Sequence, residues 1–235
     1  MRGFGQELYA RVAPALFKRA LEELASPGRA RLTSIQIYSN NPTIPWELMR
    51  PGMVKGREID FLGVEFRIAR WHTDGAAAMH DRPVQDIPLR EVVVLAPQYV
   101  APLALPAQRD ELAFLSRLRG FRRAGGHSDA VRLLARSPPA GIVHFAGHGE
   151  LRGASAVERE YALRLEDGPL DALAWRGMSR GVGAARSLFF FNACDLGAAD
   201  AVGGTVAGWA AAVLDSGGGG YIGGLWALHD SAAAA

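Results

Sequence analysis

The sequence predicts an α/β fold with a mostly parallel central sheet and helices on both faces. Residues 91–96, 141–146 and 188–191 are short apolar runs bounded by polar groups, which indicates strands buried inside a sheet. Stretches with helical spacing of apolar residues alternate with these runs. Such alternation is typical of doubly wound, mostly parallel sheets.

The composition is that of an ordinary globular protein. Of 235 residues, 49% are hydrophobic and 21% charged, and the formal net charge is +2. With scattered arginines and near-balanced charge, neither a directly bound nucleic acid nor a membrane partner is expected. The single cysteine excludes an internal disulfide framework, and a reducing cytoplasm is the expected compartment. Neither a signal peptide nor an apolar membrane span is apparent.

The first 90 residues divide into a helix and an upstream half-domain. Residues 6–24 have helical spacing and predict one helix that packs on a domain, although residues 1–30 also suit a connector from an upstream module. The main domain is predicted over residues 31–235, with an upstream half at 31–90. There, residues 32–38 indicate a strand, residues 46–49 a short helical turn, and residues 59–71 a strand or half of a hairpin.

The loop at residues 72–88 contains two histidines that invite a metal interpretation. His72 and His80 lie near Asp74 and Asp81, but their spacing matches no recognised ligand motif. No metal site is predicted. The glycines at 217–220 resemble a phosphate-binding loop only superficially, because no Lys-Ser/Thr pair follows them. No cofactor is expected.

The remaining chain, residues 91–235, is the predicted catalytic half. Residues 97–106 are expected to be an exposed connection, residues 150–160 a loop, and Ser128 an N-cap. The end of the chain resembles the start of a helix, so we expect a piece of a longer protein. The other predicted elements are helices at 108–119, 128–136, from Asp171 and at 201–214, and strands at 161–165 and 221–227, with a turn at 167–169.

Two of the strand ends carry reactive residues. Cys194 follows one strand, with Asp195 and Gly197 as turn signals, and His148 follows another between two glycines. Because parallel strands end at the same edge of a sheet, thiol and imidazole are expected to face one cleft. Each alone is more often a small buried group or a turn residue, but together they fit a Cys-His enzyme. The backbone N–H groups of Gly149 and Cys194 are the candidates for an oxyanion hole.

The same residues leave two other functions open. The domain could be an inactive interaction module that adds a peptide to a sheet edge. It could also hydrolyse a small ester or amide, although the chain lacks a Gly-x-Ser-x-Gly elbow.

Several motifs resemble one family. VHFAGHG, FFFNACDLG and GGYIGGLWALHD, with IPWELM and FLGVEFRIARW upstream, resemble the CHAT domain, a caspase-like peptidase module associated with tetratricopeptide repeats. The resemblance implies a caspase-hemoglobinase fold and cysteine endopeptidase activity, with His148 and Cys194 as the catalytic dyad and His144 in a supporting or structural role.

The resemblance also implies a substrate preference and a setting. Asp230 corresponds to a residue that in related separases faces the side chain before the cut, so it favours a basic residue there, and Asp195 is a rival for that role. The expected partners are a protein substrate and a regulatory repeat or sensor domain, and the expected setting is bacterial defence or regulated cell death. The arginine-rich segment 152–164 is either flexible until a partner orders it or a solvated hairpin.

Overall fold

The computed structural model divides the chain into two compact units, Met1–Arg82 and Pro83–Ala235. It describes residues 1–25, 32–39, 41, 44–72, 86–135, 141–153, 160–179, 185–194, 196, 200–202, 205–225 and 229–230. The side chains of residues 72, 200–202 and 205–207 are outside this description. Within the described residues, no helix is both long and apolar enough to cross a membrane.

The first unit is a small mixed assembly around its own apolar core. Its strands form a parallel pair, β1 with β4, and an antiparallel hairpin, β2 with β3. The core includes Trp46, Met49, Ile59 and Leu62. The elements are α1 Arg2–Val12, α2 Ala15–Leu24, β1 Ser34–Ser39, a 3-10 turn Trp46–Leu48, β2 Gly52–Val54, β3 Arg57–Ile59, α3 Leu62–Glu65 and β4 Arg67–His72.

Two predictions for this unit need correction. The single helix over residues 6–24 is wrong: α1 and α2 are separate, because Pro14 cannot continue a helix in its interior. Both helices pack on the core, through Leu8 of α1 and Leu21 of α2 among others. The strand over residues 59–71 is also interrupted, since α3 lies between β3 and β4. Strand β4 begins at Arg67, just after α3, and pairs in parallel with β1.

The second unit is built on a five-stranded, all-parallel sheet. Its strand order is β14-β11-β7-β5-β6. This confirms the predicted α/β class with a parallel sheet flanked by helices. The elements of the sheet and its helices are β5 Val92–Leu95, α4 Gln108–Leu115, β6 Phe121–Ala124, α5 His127–Leu134, β7 Ile142–Ala146, α6 Ala172–Met178, β11 Leu188–Asn192, α7 Trp209–Asp215 and β14 Gly220–Gly223.

The two faces of this sheet are covered unequally. On one face, Phe189 and Phe191 lie in the largest core cluster with Trp175 of α6 and Trp209 of α7. On the other, Val92 and Val94 pack with Leu115 of α4. Phe190 points to this second face and is 36% exposed, so the prediction that the strand is buried on both faces is wrong at this residue.

The second unit also contains an antiparallel sheet, which includes residues 150–152 and 160, where the sequence predicted a loop. Strands β8 Gly149–Arg152, β9 Glu160–Leu165 and β10 Gly168–Leu170 are antiparallel in the order β10-β9-β8. The loop prediction for residues 150–160 is therefore wrong at both ends, and the described part of segment 152–164 belongs to a hairpin. The hairpin is not simply solvated, because Ala162 and Leu163 are fully buried.

Two further local predictions are corrected. Ser128 is not the N-cap of α5; Gly126 precedes the helix, and the carboxylate of Asp167 accepts the His127 N–H instead. The sequence predicted one helix over residues 201–214. The structure instead has a short hairpin, β12 Asp200–Val202 and β13 Thr205–Ala207, followed by α7. The β-branched Val202, Thr205 and Val206 favour strands over a helix.

Candidate active site

The register of the parallel sheet brings His148 and Cys194 to the same edge. Strands β7 and β11 are neighbours, and Ala146 is the register partner of Asn192. His148 and Cys194 each lie two residues beyond that last pair. Beyond the ends of the two strands, the backbones at Gly149 and Cys194 lie close together: a Cβ on Gly149 would overlap the carbonyl oxygen of Cys194.

The His148 ring is oriented by a backbone carbonyl. Its Nε2 lies 2.8 Å from the carbonyl oxygen of Leu103. A carbonyl can only accept, so Nε2 carries the proton of this hydrogen bond. In the neutral ring the lone pair is then on Nδ1, and Nδ1 is the nitrogen that can accept a proton from a thiol.

His144 belongs to a buried polar cluster on the α4 face of the sheet. Its Nε2 is 2.8 Å from Oε1 of Glu111, and the same oxygen accepts a 2.7 Å bond from Nδ2 of Asn192. His144 and Asn192 are both buried. Glu111 of α4 thus ties together β7 and β11, the two strands that lead to His148 and Cys194, and this gives His144 a structural contact beneath the site.

The predicted substrate-binding carboxylate is attached to the start of α4. Oδ2 of Asp230 accepts a 2.9 Å hydrogen bond from the backbone N–H of Ala107, the residue before the helix. Acidic side chains are favoured at this end of a helix. The rival carboxylate, Asp195, lies outside the described residues, as do His80 and the side chain of His72.

The comparison with known families decides the identity of the chain. A family model described as CHAT domain matches residues 3–235. The chain belongs to the CHAT-domain family. This family is associated with caspase-like cysteine peptidases, as the sequence motifs predicted. No curated protein sequence matches the chain.

The loop between β5 and α4 is the part of this CHAT domain's site that the sequence did not predict. It was expected to be an exposed connection, yet it supplies the Leu103 carbonyl and the side chain of Tyr99, whose ring lies against His148. Gln108 braces the loop by donating from Nε2 to the carbonyls of Pro97 and Ala146. A carbonyl contact has no signature in a sequence, because every residue has one.

Glu111 was also missed, for a different reason. It lies in a helical stretch with ordinary spacing, where a carboxylate usually faces solvent. Only the packing of α4 against the sheet turns its side chain toward β7 and β11. The position of His144 within a predicted buried strand was the one available signal, because a buried histidine requires a polar partner.

Proposed function

We propose that this CHAT domain is a cysteine endopeptidase in which Cys194 is the nucleophile and His148 the general acid and base. The observation that carries the proposal is the paired position of the two residues beyond adjacent parallel strands, with Nε2 of His148 bound to Leu103. The family membership supports a caspase-like chemistry on a caspase-hemoglobinase fold. The carboxyl edge of an open α/β sheet is also where such folds place their sites.

The proposed reaction uses the free lone pair of His148. Nδ1 takes the proton of the Cys194 thiol, and the thiolate sulfur attacks the carbonyl carbon of the peptide bond. The resulting imidazolium then protonates the leaving amine, which leaves an acyl-enzyme on Sγ. Water, deprotonated by His148, hydrolyses the thioester and releases the carboxylate and the thiol.

The oxyanion is proposed to lie against the N–H groups of Gly149 and Cys194. The absence of a side chain at Gly149 supports this, because the Gly149 backbone approaches the Cys194 carbonyl too closely for a Cβ. Loss of one such donor typically raises the barrier by about 3 kcal/mol.

The substrate is proposed to be a protein cut after a basic residue, with Asp230 facing the arginine or lysine and Asp195 as the rival. The charge supports this assignment, since a carboxylate pairs with a guanidinium more strongly than with a neutral group. The partner is proposed to be a regulatory repeat or sensor domain, and the setting cytoplasmic bacterial defence or regulated cell death.

The test is cleavage of a fluorogenic peptide library varied at the residue before the cut. We expect the wild type to cleave after Arg or Lys, Cys194→Ala to abolish cleavage, and Asp230→Asn to weaken it selectively for basic residues. Cleavage that survives in Cys194→Ala contradicts the nucleophile, and equal loss for all peptides in Asp230→Asn contradicts the specificity role.

A wild type that cleaves no peptide requires a second measurement. Iodoacetamide at neutral pH distinguishes a poised thiol from an inert one. Rapid alkylation of Cys194 that slows in His148→Ala supports the dyad and points to a missing partner. Slow alkylation in both proteins overturns the proposal and favours the inactive interaction module, whereas turnover of small acyl esters alone favours the small-molecule hydrolase.

A further inference from the structure

The backbone of His148 lies in a closed ring of three hydrogen bonds. The His148 N–H donates to the hydroxyl of Tyr99 over 3.0 Å, and this hydroxyl donates to the Arg164 carbonyl over 2.6 Å. The Arg164 N–H in turn donates to the His148 carbonyl over 3.0 Å. Because an N–H can only donate and a carbonyl can only accept, the directions of all three bonds are fixed.

The Tyr99 hydroxyl is suited to keep its proton in this ring. It is largely buried, and burial raises the pKa of Tyr99 to about 12. At neutral pH the group is therefore both an acceptor for His148 and a donor to Arg164. Ionisation would remove the donor and leave two acceptors facing each other.

The aromatic ring of Tyr99 contacts the imidazole itself. The two ring centroids are 4.7 Å apart at an interplanar angle of 56°. The Tyr99 ring thus packs against the imidazole, while Nε2 is held by Leu103 from the same loop. Together these contacts restrict rotation of the imidazole about both of its side-chain torsions.

Gly147, the residue before His148, independently supports the contact between Tyr99 and His148, because its lack of a side chain leaves room for the Tyr99 hydroxyl. A Cβ on Gly147 would lie 2.5 Å from the Tyr99 oxygen and 2.7 Å from Cζ of Phe145. Only glycine avoids both contacts. The absence of a side chain at Gly147 therefore allows the Tyr99 hydroxyl to reach the His148 N–H.

We propose that Tyr99 is a positioning residue for His148: its hydroxyl fixes the backbone and its ring fixes the imidazole plane, so that Nε2 meets Leu103 and Nδ1 is presented to Cys194. This inference rests on the proposed peptidase function. It adds that the Arg164 backbone, in the antiparallel sheet, is linked to His148 both by the Tyr99 hydroxyl and by its own N–H.

The test compares Tyr99→Phe, which removes only the hydroxyl, with Tyr99→Ala, which also removes the ring. Tyr221→Phe is the matched control, since Tyr221 is a partly buried tyrosine whose hydroxyl donates to a backbone carbonyl, that of Leu196, over 2.6 Å. The first readout is the tautomer of His148 in long-range ¹H–¹⁵N NMR spectra, assigned by the loss of its signals in His148→Ala. This readout is independent of catalysis.

We expect the Nε2–H form in the wild type and in Tyr221→Phe, and a mixture of both tautomers in Tyr99→Phe and Tyr99→Ala. The second readout is Cys194 alkylation by iodoacetamide, which should slow toward the His148→Ala rate in both Tyr99 variants. Where peptides are cleaved, kcat should fall about tenfold in Tyr99→Phe while KM stays within about twofold.

Two results overturn the proposal. One is an unchanged His148 tautomer in both Tyr99 variants, and the other is an Nδ1–H form in the wild type, which needs no variant to fold. Failure of the peptidase proposal is a separate result: in that case His148→Ala leaves Cys194 alkylation unchanged, while the tautomer spectra of the Tyr99 variants still decide the positioning role.

Discussion

At the residue scale, the close approach at Gly149 determines what the site tolerates. A Cβ there would overlap the Cys194 carbonyl oxygen, which belongs to the backbone and cannot rotate away. The contact therefore ties the geometry of the predicted nucleophile to the absence of one methyl group. The sequence marked Gly149 as a candidate for the oxyanion hole, but the close approach of its backbone to Cys194 is visible only in the structure.

Replacement Gly149→Ala should displace the segment that contains Cys194. We expect at least about a 100-fold loss of peptidase activity, because a misplacement of 1 Å can have that effect. Slower iodoacetamide alkylation of Cys194 should accompany it, and both can be measured on the purified variant.

The matched control for this prediction is Gly177→Ala. Gly177 lies in α6, where an added Cβ meets nothing within 4 Å. Alanine in a helix should raise the free energy of unfolding by about 0.5–1 kcal/mol without changing activity. Gly149→Ala with wild-type alkylation would contradict the inferred contact.

At the element scale, α5 obtains its cap from another part of the chain. The turn between β9 and β10 places Asp167 so that its carboxylate accepts the His127 N–H at 2.9 and 3.0 Å and contacts Nδ1 of His127 at 2.7 Å. A Cβ on Gly126 would lie 2.9 Å from the same carboxylate. The helix start is therefore defined by a residue about 40 positions away, which local sequence patterns cannot reveal.

Because the cap is a carboxylate, the stability of α5 should fall when the pH is low enough to protonate Asp167. The side-chain and backbone hydrogen bonds from His127 lower the pKa of Asp167. A lowered folded-state pKa means that the stabilisation is complete above the unfolded value of about 3.9 and is lost as the pH falls through the folded value. Asp167→Asn should thus lower the urea midpoint at pH 7, and the difference from wild type should shrink as the pH falls through the folded-state pKa of Asp167.

Asp129→Asn is the control for the acid dependence. Asp129 lies on the same helix and forms an exposed pair with Arg132 at 2.8 Å, an interaction that usually contributes little. Because Asp129 also lies in the first turn of α5, where a negative charge is favourable, the urea midpoint of Asp129→Asn at pH 7 should fall slightly, and by less than that of Asp167→Asn. Equal midpoints for Asp167→Asn and Asp129→Asn at this pH would show that the charge of Asp167 adds no stability, since the asparagine oxygen can still accept the His127 N–H.

At the scale of the whole molecule, the second unit has one deeply buried face and one partly open face on the same sheet. Phe191 is fully buried among Trp175, Trp209 and Tyr221, with ring centroids 5.2–5.4 Å away. Phe190, its neighbour on the opposite face, is 36% exposed and contacts His144 edge-on at 5.0 Å. The stability of the unit should depend mainly on the first face.

The pair Phe191→Ala and Phe190→Ala tests this asymmetry on one strand. We expect Phe191→Ala to lower the free energy of unfolding by about 3–5 kcal/mol, because it leaves a cavity in close-packed aromatic surroundings. Phe190→Ala should lower it by no more than about 1–2 kcal/mol. Urea unfolding followed by tryptophan fluorescence measures both, and similar losses would contradict the unequal burial.

The fold class, and the location of His148 and Cys194 beyond the ends of two parallel strands, could be predicted from the sequence because both depend on local patterns. Short apolar runs between polar turns determine buried strands, and parallel strands present their carboxyl ends at one edge. Pro14, which separates α1 from α2, is also a local signal. The helical spacing of apolar residues on both sides of it nevertheless led to the prediction of a single helix. Strand β9 was predicted and a hairpin was one of the two alternatives for residues 152–164, but β8 was predicted as a loop because its pairing with β9 has no local signal. The burial of Ala162 and Leu163 likewise results from tertiary packing.

By itself, then, the sequence determined the parallel α/β sheet, the family and the two strand ends that hold the proposed dyad. Only the tertiary structure decided how His148 is held: by the Leu103 carbonyl, by the Tyr99 hydroxyl and ring, and through Arg164. The reason is physical. Strand and turn preferences act over a few neighbouring residues, whereas these hydrogen bonds join residues 45 to 65 positions apart, and any backbone carbonyl or tyrosine could have made them until packing brought one within reach.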